Sequence, residues 1–246
     1  MSPLNIKLSI IRNSCLASYA NFFNFFVKRK SSEKVLCPCC GWEGPAFIAK
    51  SNWRAVTFNS QCPKCNSYSR HRGLMALLPT LLKEISSGDI IIFAPENIIL
   101  QKLSNFGFKG RTRTTDRFRT DVNYPNEDIQ NLSFKKGTFS VILCNHVLEH
   151  IPDDRKAIME CSRILRLGGI ALFTVPGDFS KKDTWVFDMP DNNGHYRHYG
   201  MDIVNKFEGS FAEVKAIDMS EISPKNWGVR QQDYVFICFK EKQNLD

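Results

Sequence analysis

From residue 88 onward, short unbroken apolar runs alternate with longer stretches in which apolar residues recur every three to four positions. Ile90-Ile91-Ile92-Phe93-Ala94 and residues 139–144 (FSVILC) read as strands buried on both faces. Residues 111–115 (RTRTT) predict a strand that ends at Asp116, and further strands are expected over 170–175, 214–219 and 234–240. Helical spacing covers residues 74–85, with a break near Pro79, and residues 98–106, ending near Gly107; Ser87-Gly88-Asp89 marks a turn between the first helix and the first strand. Pro152-Asp153-Asp154 opens another helix with acidic residues in its first turn, Arg163 and Arg166 sit near its end, and Gly168-Gly169 stops it. A last helix is expected near 201–208. Strands alternating with helices predict an α/β fold with a doubly wound, mostly parallel sheet, in which ligands bind outside the carboxyl ends of the strands. The informative positions are therefore Ala94-Pro95-Glu96, Asp116, Asn145-His146 and Pro176.

The first 68 residues follow neither period. Residues 4–27 mix apolar and aromatic positions with Lys7, Arg12, Asn13 and Asn24, and Lys28-Arg29-Lys30 follow. Such an amphipathic segment packs on its own protein or a second subunit, or lies on an anionic membrane surface through residues 4–30. Next, Cys37-Pro38-Cys39-Cys40-Gly41 and Cys62-Pro63-Lys64-Cys65 form two C-x2-C knuckles with 21 residues between Cys40 and Cys62. That spacing is the pattern of a four-thiolate zinc site with Cys37, Cys40, Cys62 and Cys65 as ligands. Trp42, Phe47, Trp53 and Phe58 lie between the knuckles, in a segment too short to bury much core alone, so the metal would stabilise it. With four Cys ligands no position stays open for water, and the zinc is expected to be structural.

At 246 residues, 43% hydrophobic and 24% charged, the chain has an ordinary globular balance. No run approaches the roughly 20 apolar residues of a membrane span. The net charge of +8 is uneven: residues 1–34 hold six Lys/Arg and one Glu, and residues 35–75 hold five and one. The remaining residues are close to neutral, so any affinity for anionic partners, nucleic acid included, belongs to the first 75. Nine cysteines without a secretory pattern point to a reducing cytoplasm. These features suggest three parts: a basic segment over 1–34, a zinc ribbon over 35–68, and an α/β domain over 69–246.

Residues 139–154 (FSVILCNHVLEHIPDD), continuing through 160–169 (ECSRILRLGG) to Phe173-Thr-Val-Pro176, resemble class I S-adenosylmethionine-dependent methyltransferases. The resemblance implies a seven-stranded sheet closed by an antiparallel hairpin, and S-adenosylmethionine as cofactor. It also implies roles for particular residues. Asp116 would hold the ribose hydroxyls, Asp128 and Ile129 would bracket the adenine, and Asn145 would border the methionine end. The family's glycine-rich first turn is replaced here by Phe93-Ala94-Pro95-Glu96. Ala94 is small but Pro95 has no N–H, and Glu96 would pair with the cofactor's ammonium group. His146, His195 and Arg197 are the catalytic or acceptor-site candidates, Arg197 orienting an anionic acceptor. His150 reads as a structural residue at a helix start. The acceptor implied is a small molecule or glycan; RNA methylation and a non-catalytic binding module on a degenerate scaffold are the alternatives.

Overall fold

The computed structural model describes residues 3–27, 33–51, 55–85, 88–106 and 110–241. The basic run at 28–30, Trp53, Ser87 and Gly107 lie outside the described residues. Two compact units are present, one formed by residues 1–77 with 219–231 and the other by 78–218 with 232–246.

In the first unit, helix α1 (Pro3–Phe22) runs into a single π-helical turn over Phe23–Val27. The ribbon follows as two small antiparallel hairpins, β1 (Val35–Leu36) with β2 (Glu43–Gly44) and β3 (Ile48–Ser51) with β4 (Val56–Gln61). Helix α1 packs against β3 with a polar side chain turned inward. Asn13 and Ala17 are buried, and the Asn21 amide donates to Ala49 O at 3.0 Å and accepts from Ala49 N at 2.7 Å. Leu8, Ile11, Leu16, Tyr19, Phe22 and Phe26 face outward. The polar side chain turns inward because it can substitute for a neighbouring strand along the backbone of β3.

Helix α2 (Ser69–Glu84) continues through Pro79 as one element, where the sequence predicts a break. Near its start Arg72 is fully buried. Its guanidinium donates to the carbonyls of Trp227 (2.7 Å), Gly228 (3.0 Å), Ser67 (3.1 Å) and Asn59 (2.5 Å), and it stacks 3.8 Å over the Phe47 ring. Ser69 Oγ accepts from Arg230 N at 2.8 Å. These bonds attach residues 219–231 to the ribbon, so the expected boundary at 68/69 is not where the chain divides.

The second unit holds a seven-stranded sheet built from β5 (Ile90–Phe93), β6 (Thr112–Asp116), β7 (Tyr124–Pro125), β8 (Phe139–Asn145), β9 (Leu165–Thr174), β12 (Glu213–Asp218) and β13 (Tyr234–Phe239), in the order β12-β13-β9-β8-β5-β6-β7. The five strands from β9 to β7 are parallel, and β13 is antiparallel to both β9 and β12. Every residue of β5 is buried, as its β-branched run requires. Helix α3 (Asn97–Leu103) connects β5 to β6. The strand β7 is two residues long and has no apolar run to announce it. Helix α4 (Asp154–Ile164) starts where expected, with the Asp153 side chain accepting from Lys156 N at 3.0 Å. It ends earlier than Gly168-Gly169 suggest, because Leu165 to Gly169 already belong to the long strand β9. The short pair β10 (Trp185–Val186) and β11 (Arg197–His198) and helix α5 (Ile203–Glu208) fill the connection between β9 and β12. Among the described residues no helix is long and apolar enough to cross a membrane.

Arg72→Lys should destabilise the protein by about 2–4 kcal/mol in urea denaturation, because one ammonium cannot satisfy the same set of buried carbonyls. An unchanged midpoint would show that the guanidinium clamp contributes nothing.

Candidate functional site

A cleft of about 550 Å³ opens at the carboxyl ends of β5, β6 and β8. Its wall includes Ala94, Asp116, Asp128, Ile129, His146 and His150. The backbone makes room for it at two points. Ala94 (φ 45°) and His146 (φ 55°), each directly after a strand, adopt the left-handed conformation that favours glycine. The Ala94 turn thus has the backbone of a glycine turn without the glycine. Pro95 donates nothing, as expected, and its carbonyl accepts from Arg119 Nη1 at 2.7 Å.

Asp116 closes β6 and caps its own loop: Oδ1 accepts from Phe118 N (2.7 Å) and Arg119 N (3.0 Å). Both bonds use one oxygen, leaving Oδ2 for a ligand. Phe118, 87% exposed, stands on the cleft wall beside it. On the facing loop Ile129 is buried, and Asp128 accepts from Gln130 N at 2.9 Å and pairs with Arg117. Burial pushes the Asp128 carboxyl up, but the Gln130 hydrogen bonds and the Arg117 charge outweigh it and hold the group below its ordinary value.

Glu96 and Asn145 are not among the lining residues of the cleft. They are bonded to each other, Asn145 Nδ2 donating to Glu96 Oε2, while Thr174 Oγ1 donates to Asn145 Oδ1. One polar chain therefore links the ends of β5, β8 and β9.

The loop after β8 carries the histidines. His146 Nδ1 lies 3.1 Å from the Oε1 of Glu149, whose side chain is fully buried. His195 is half-buried behind His150, the two rings meeting edge to face at 4.8 Å. Burial holds the His195 imidazole below its ordinary pKa against the opposing pull of Glu149 and Asp191. His150 lines the cleft and does not start a long helix; it ends a short 3-10 turn, Leu148–His150.

Arg197 is a correction. It is only 5% exposed and donates to the carbonyls of Leu148 (3.3 Å), Ile151 (2.8 Å) and Pro152 (2.6 Å), with Asp154 Oδ2 3.2 Å away. Its charge is committed to holding the histidine loop and cannot orient an acceptor. Tyr199 Oη (2.9 Å) and Lys206 Nζ (2.6 Å) meet the same Asp154 oxygen. Sequence reading assigned no role to Glu149, although a carboxylate set among Val147, Leu148 and Ile151 is itself a signal of a buried polar group.

In the other unit the sulfurs of Cys37, Cys40, Cys62 and Cys65 lie within 4.8 Å of one another. The first knuckle turns at Gly41 (φ 69°), and Asn66 (φ 60°) takes the equivalent position after the second. Ser67 Oγ lies 3.2 Å from the Cys37 sulfur. Cys39 is buried and outside the tetrad.

Residues 107–173 match the family model described as a methyltransferase domain. A ubiquinone biosynthesis O-methyltransferase of Coxiella burnetii is 33% identical over 54 residues, 22% of this chain and 23% of that protein. The protein of the same name from Colwellia psychrerythraea is 42% identical over 38 residues, 15% of each chain. These matches thus span less than a quarter of the relatives' length. Among solved structures, the 1,6-didemethyltoxoflavin-N1-methyltransferase of Burkholderia thailandensis, with S-adenosylhomocysteine bound, superimposes with a TM-score of 0.52 at 12% identity. That superposition covers 70% of this chain and 79% of the other. The strand order with its antiparallel β13 and the cleft at the carboxyl edge give this chain the fold of class I S-adenosylmethionine-dependent methyltransferases, and within it residues 107–173 match a methyltransferase domain; a cluster of four cysteines precedes it in the chain.

Proposed function

We propose that this protein transfers a methyl group from S-adenosylmethionine to a hydroxyl oxygen of a small-molecule or glycan-like acceptor. The observation that carries the reading is the open cleft with the Asp116 carboxylate on its wall. A fold that had lost its ligand would have no reason to keep Ala94 and His146 in left-handed backbone beside an unfilled pocket. Bound there, the cofactor would supply an electrophilic methyl on a sulfonium. The residues of the cleft fit it. Asp116 Oδ2 is placed to accept hydrogen bonds from vicinal hydroxyls, Ile129 offers an apolar face to a base, and Asp128 an acceptor at its edge. Ala94 leaves space where a larger side chain would intrude. Glu96, steadied by Asn145, sets a negative charge beside the cleft for an ammonium group.

Methyl transfer asks for alignment and for a base that removes the acceptor's proton. His146 suits the role of base, since its Nδ1 is turned toward Glu149 and Nε2 is the nitrogen left for the acceptor. His195 stands behind His150 and is not the base. An oxygen acceptor is favoured by the O-methyltransferase names of the partial relatives. Residues 76–246, which include the cleft, are close to neutral in sum, which favours a small acceptor over RNA. In the ribbon, the four thiolates would hold one structural zinc.

Calorimetry should show one S-adenosylhomocysteine bound per chain, with Asp116→Ala weakening it about 10- to 100-fold. Unchanged affinity would remove Asp116 from the ribose, and no binding at millimolar ligand would end the methyltransferase reading. Ala94→Val should cost about 2 kcal/mol in thermal unfolding, since a β-branched residue resists left-handed backbone, whereas Ala94→Gly should not destabilise. Metal analysis should find one zinc per chain in the wild type and none after Cys62→Ser; a metal-free wild type would refute the tetrad.

A further inference from the structure

An ionised carboxylate removed from water costs several kcal/mol unless donors or a cation meet it. Glu149 is fully buried, and among the described residues neither of its oxygens has a hydrogen bond of good geometry, although His146 Nδ1 approaches Oε1. Two imidazoles stand beside it. One ligand atom from each of Glu149, His150 and His195 lies within 4.8 Å of the other two. The Nδ1 side of each ring faces an oxygen acceptor, toward which a proton on that nitrogen would point. His150 Nδ1 is 3.3 Å from Gly194 O, and His195 Nδ1 is 3.8 Å from Asp191 Oδ2. Asp191 Oδ1 also accepts from Asn193 N at 2.8 Å and His195 N at 3.1 Å, which steadies that carboxylate. A proton kept on Nδ1 leaves the Nε2 lone pair for a ligand, the outer-shell arrangement that orients metal-bound histidines.

We infer that Glu149, His150 and His195 form a binding site for one divalent transition-metal ion in the wall of the cleft. Two imidazoles and one carboxylate suit Mn, Fe, Co, Ni or Zn better than Mg or Ca, which take oxygen ligands. Bonds of about 2.1 Å place the donors roughly 3–3.5 Å apart, so the side chains close by about 1 Å on the ion. Three protein ligands leave coordination positions open, as in metal sites that take part in chemistry rather than in folding. His150 lines the cleft, so an open position can reach its contents. If the methyl-transfer reading holds, the ion binds the acceptor oxygen and lowers its pKa, easing the step assigned to His146. That role rests on the proposed function; the binding of metal does not.

The test uses the full chain with its ribbon loaded with one equivalent of zinc, titrated with cobalt(II) and followed by absorption. A further equivalent should bind with the weak visible bands of nitrogen and oxygen ligation, without the intense near-ultraviolet band of thiolate ligation. His150→Ala and His195→Ala should each weaken it at least tenfold, and Asp191→Asn, which leaves the ligands in place, about tenfold. Asp116→Ala should leave cobalt affinity unchanged while weakening S-adenosylhomocysteine. Retention of S-adenosylhomocysteine by His195→Ala would report an intact fold in that variant. Cobalt bound only with thiolate bands, or with affinity indifferent to all three loop variants, overturns the site. A wild-type chain that binds cobalt at this site but no S-adenosylhomocysteine at millimolar concentration overturns the methyl-transfer reading instead.

Discussion

The backbone ladder of the parallel strands sets where every polar group of the cleft stands. Phe93 pairs with Thr115 on one side and Cys144 on the other, and Asn145 pairs with Thr174. The carboxyl ends of four strands are thereby brought level, and each ladder runs one residue further through Ala94 N to Thr115 O (3.0 Å) and His146 N to Thr174 O (2.8 Å). At those same two residues the chain turns sharply into left-handed backbone. Pairing therefore holds up to the last residue before the cleft, and the turn then opens space. A slip of one residue in β6 would move Asp116, and one in β8 His146, to the other face of the sheet.

A second constraint acts on the loop after β8, which has little regular structure of its own. Arg197 takes three of its carbonyls and Asp154 draws in Arg197, Tyr199 and Lys206. The phenol of Tyr199, buried against Asp154, has its pKa pushed up and stays a neutral donor. Each member is hydrogen-bonded, which is the condition under which a buried polar network fixes one arrangement. The loop that places His146, Glu149 and His150 is held from beneath by charge. Arg197 thus acts on the cleft only through the loop it holds.

Much of this was legible along the chain because the signals are local. A run of β-branched residues that is buried on both faces, as at 90–93, cannot be much other than an interior strand. Asp153 followed by Lys156 N is a cap that needs only four residues. The two knuckles show in their spacing because each is a self-contained turn, and Asn66 marks where the second takes the same backbone as Gly41. Of the positions that the carboxyl-edge rule named, Ala94, Asp116 and His146 line the cleft, whereas Pro95, Glu96, Asn145 and Pro176 do not. The strand β7 escaped because its place comes from pairing with β6 and not from its own two residues. The inward face of α1 does not show in the sequence, because Asn21 finds its partner in Ala49, 28 residues away.

The sequence by itself determined the alternation of strands and helices, the strand ends and the four thiols, since each depends on neighbours within a few residues. Only the tertiary structure decided what the charged side chains do. Arg197 and Glu149 look equally available along the chain, yet one meets backbone carbonyls from residues 45 or more positions away and the other is sealed beside three imidazoles. Charge acts through space, and in a folded interior the distances that govern it are set by packing.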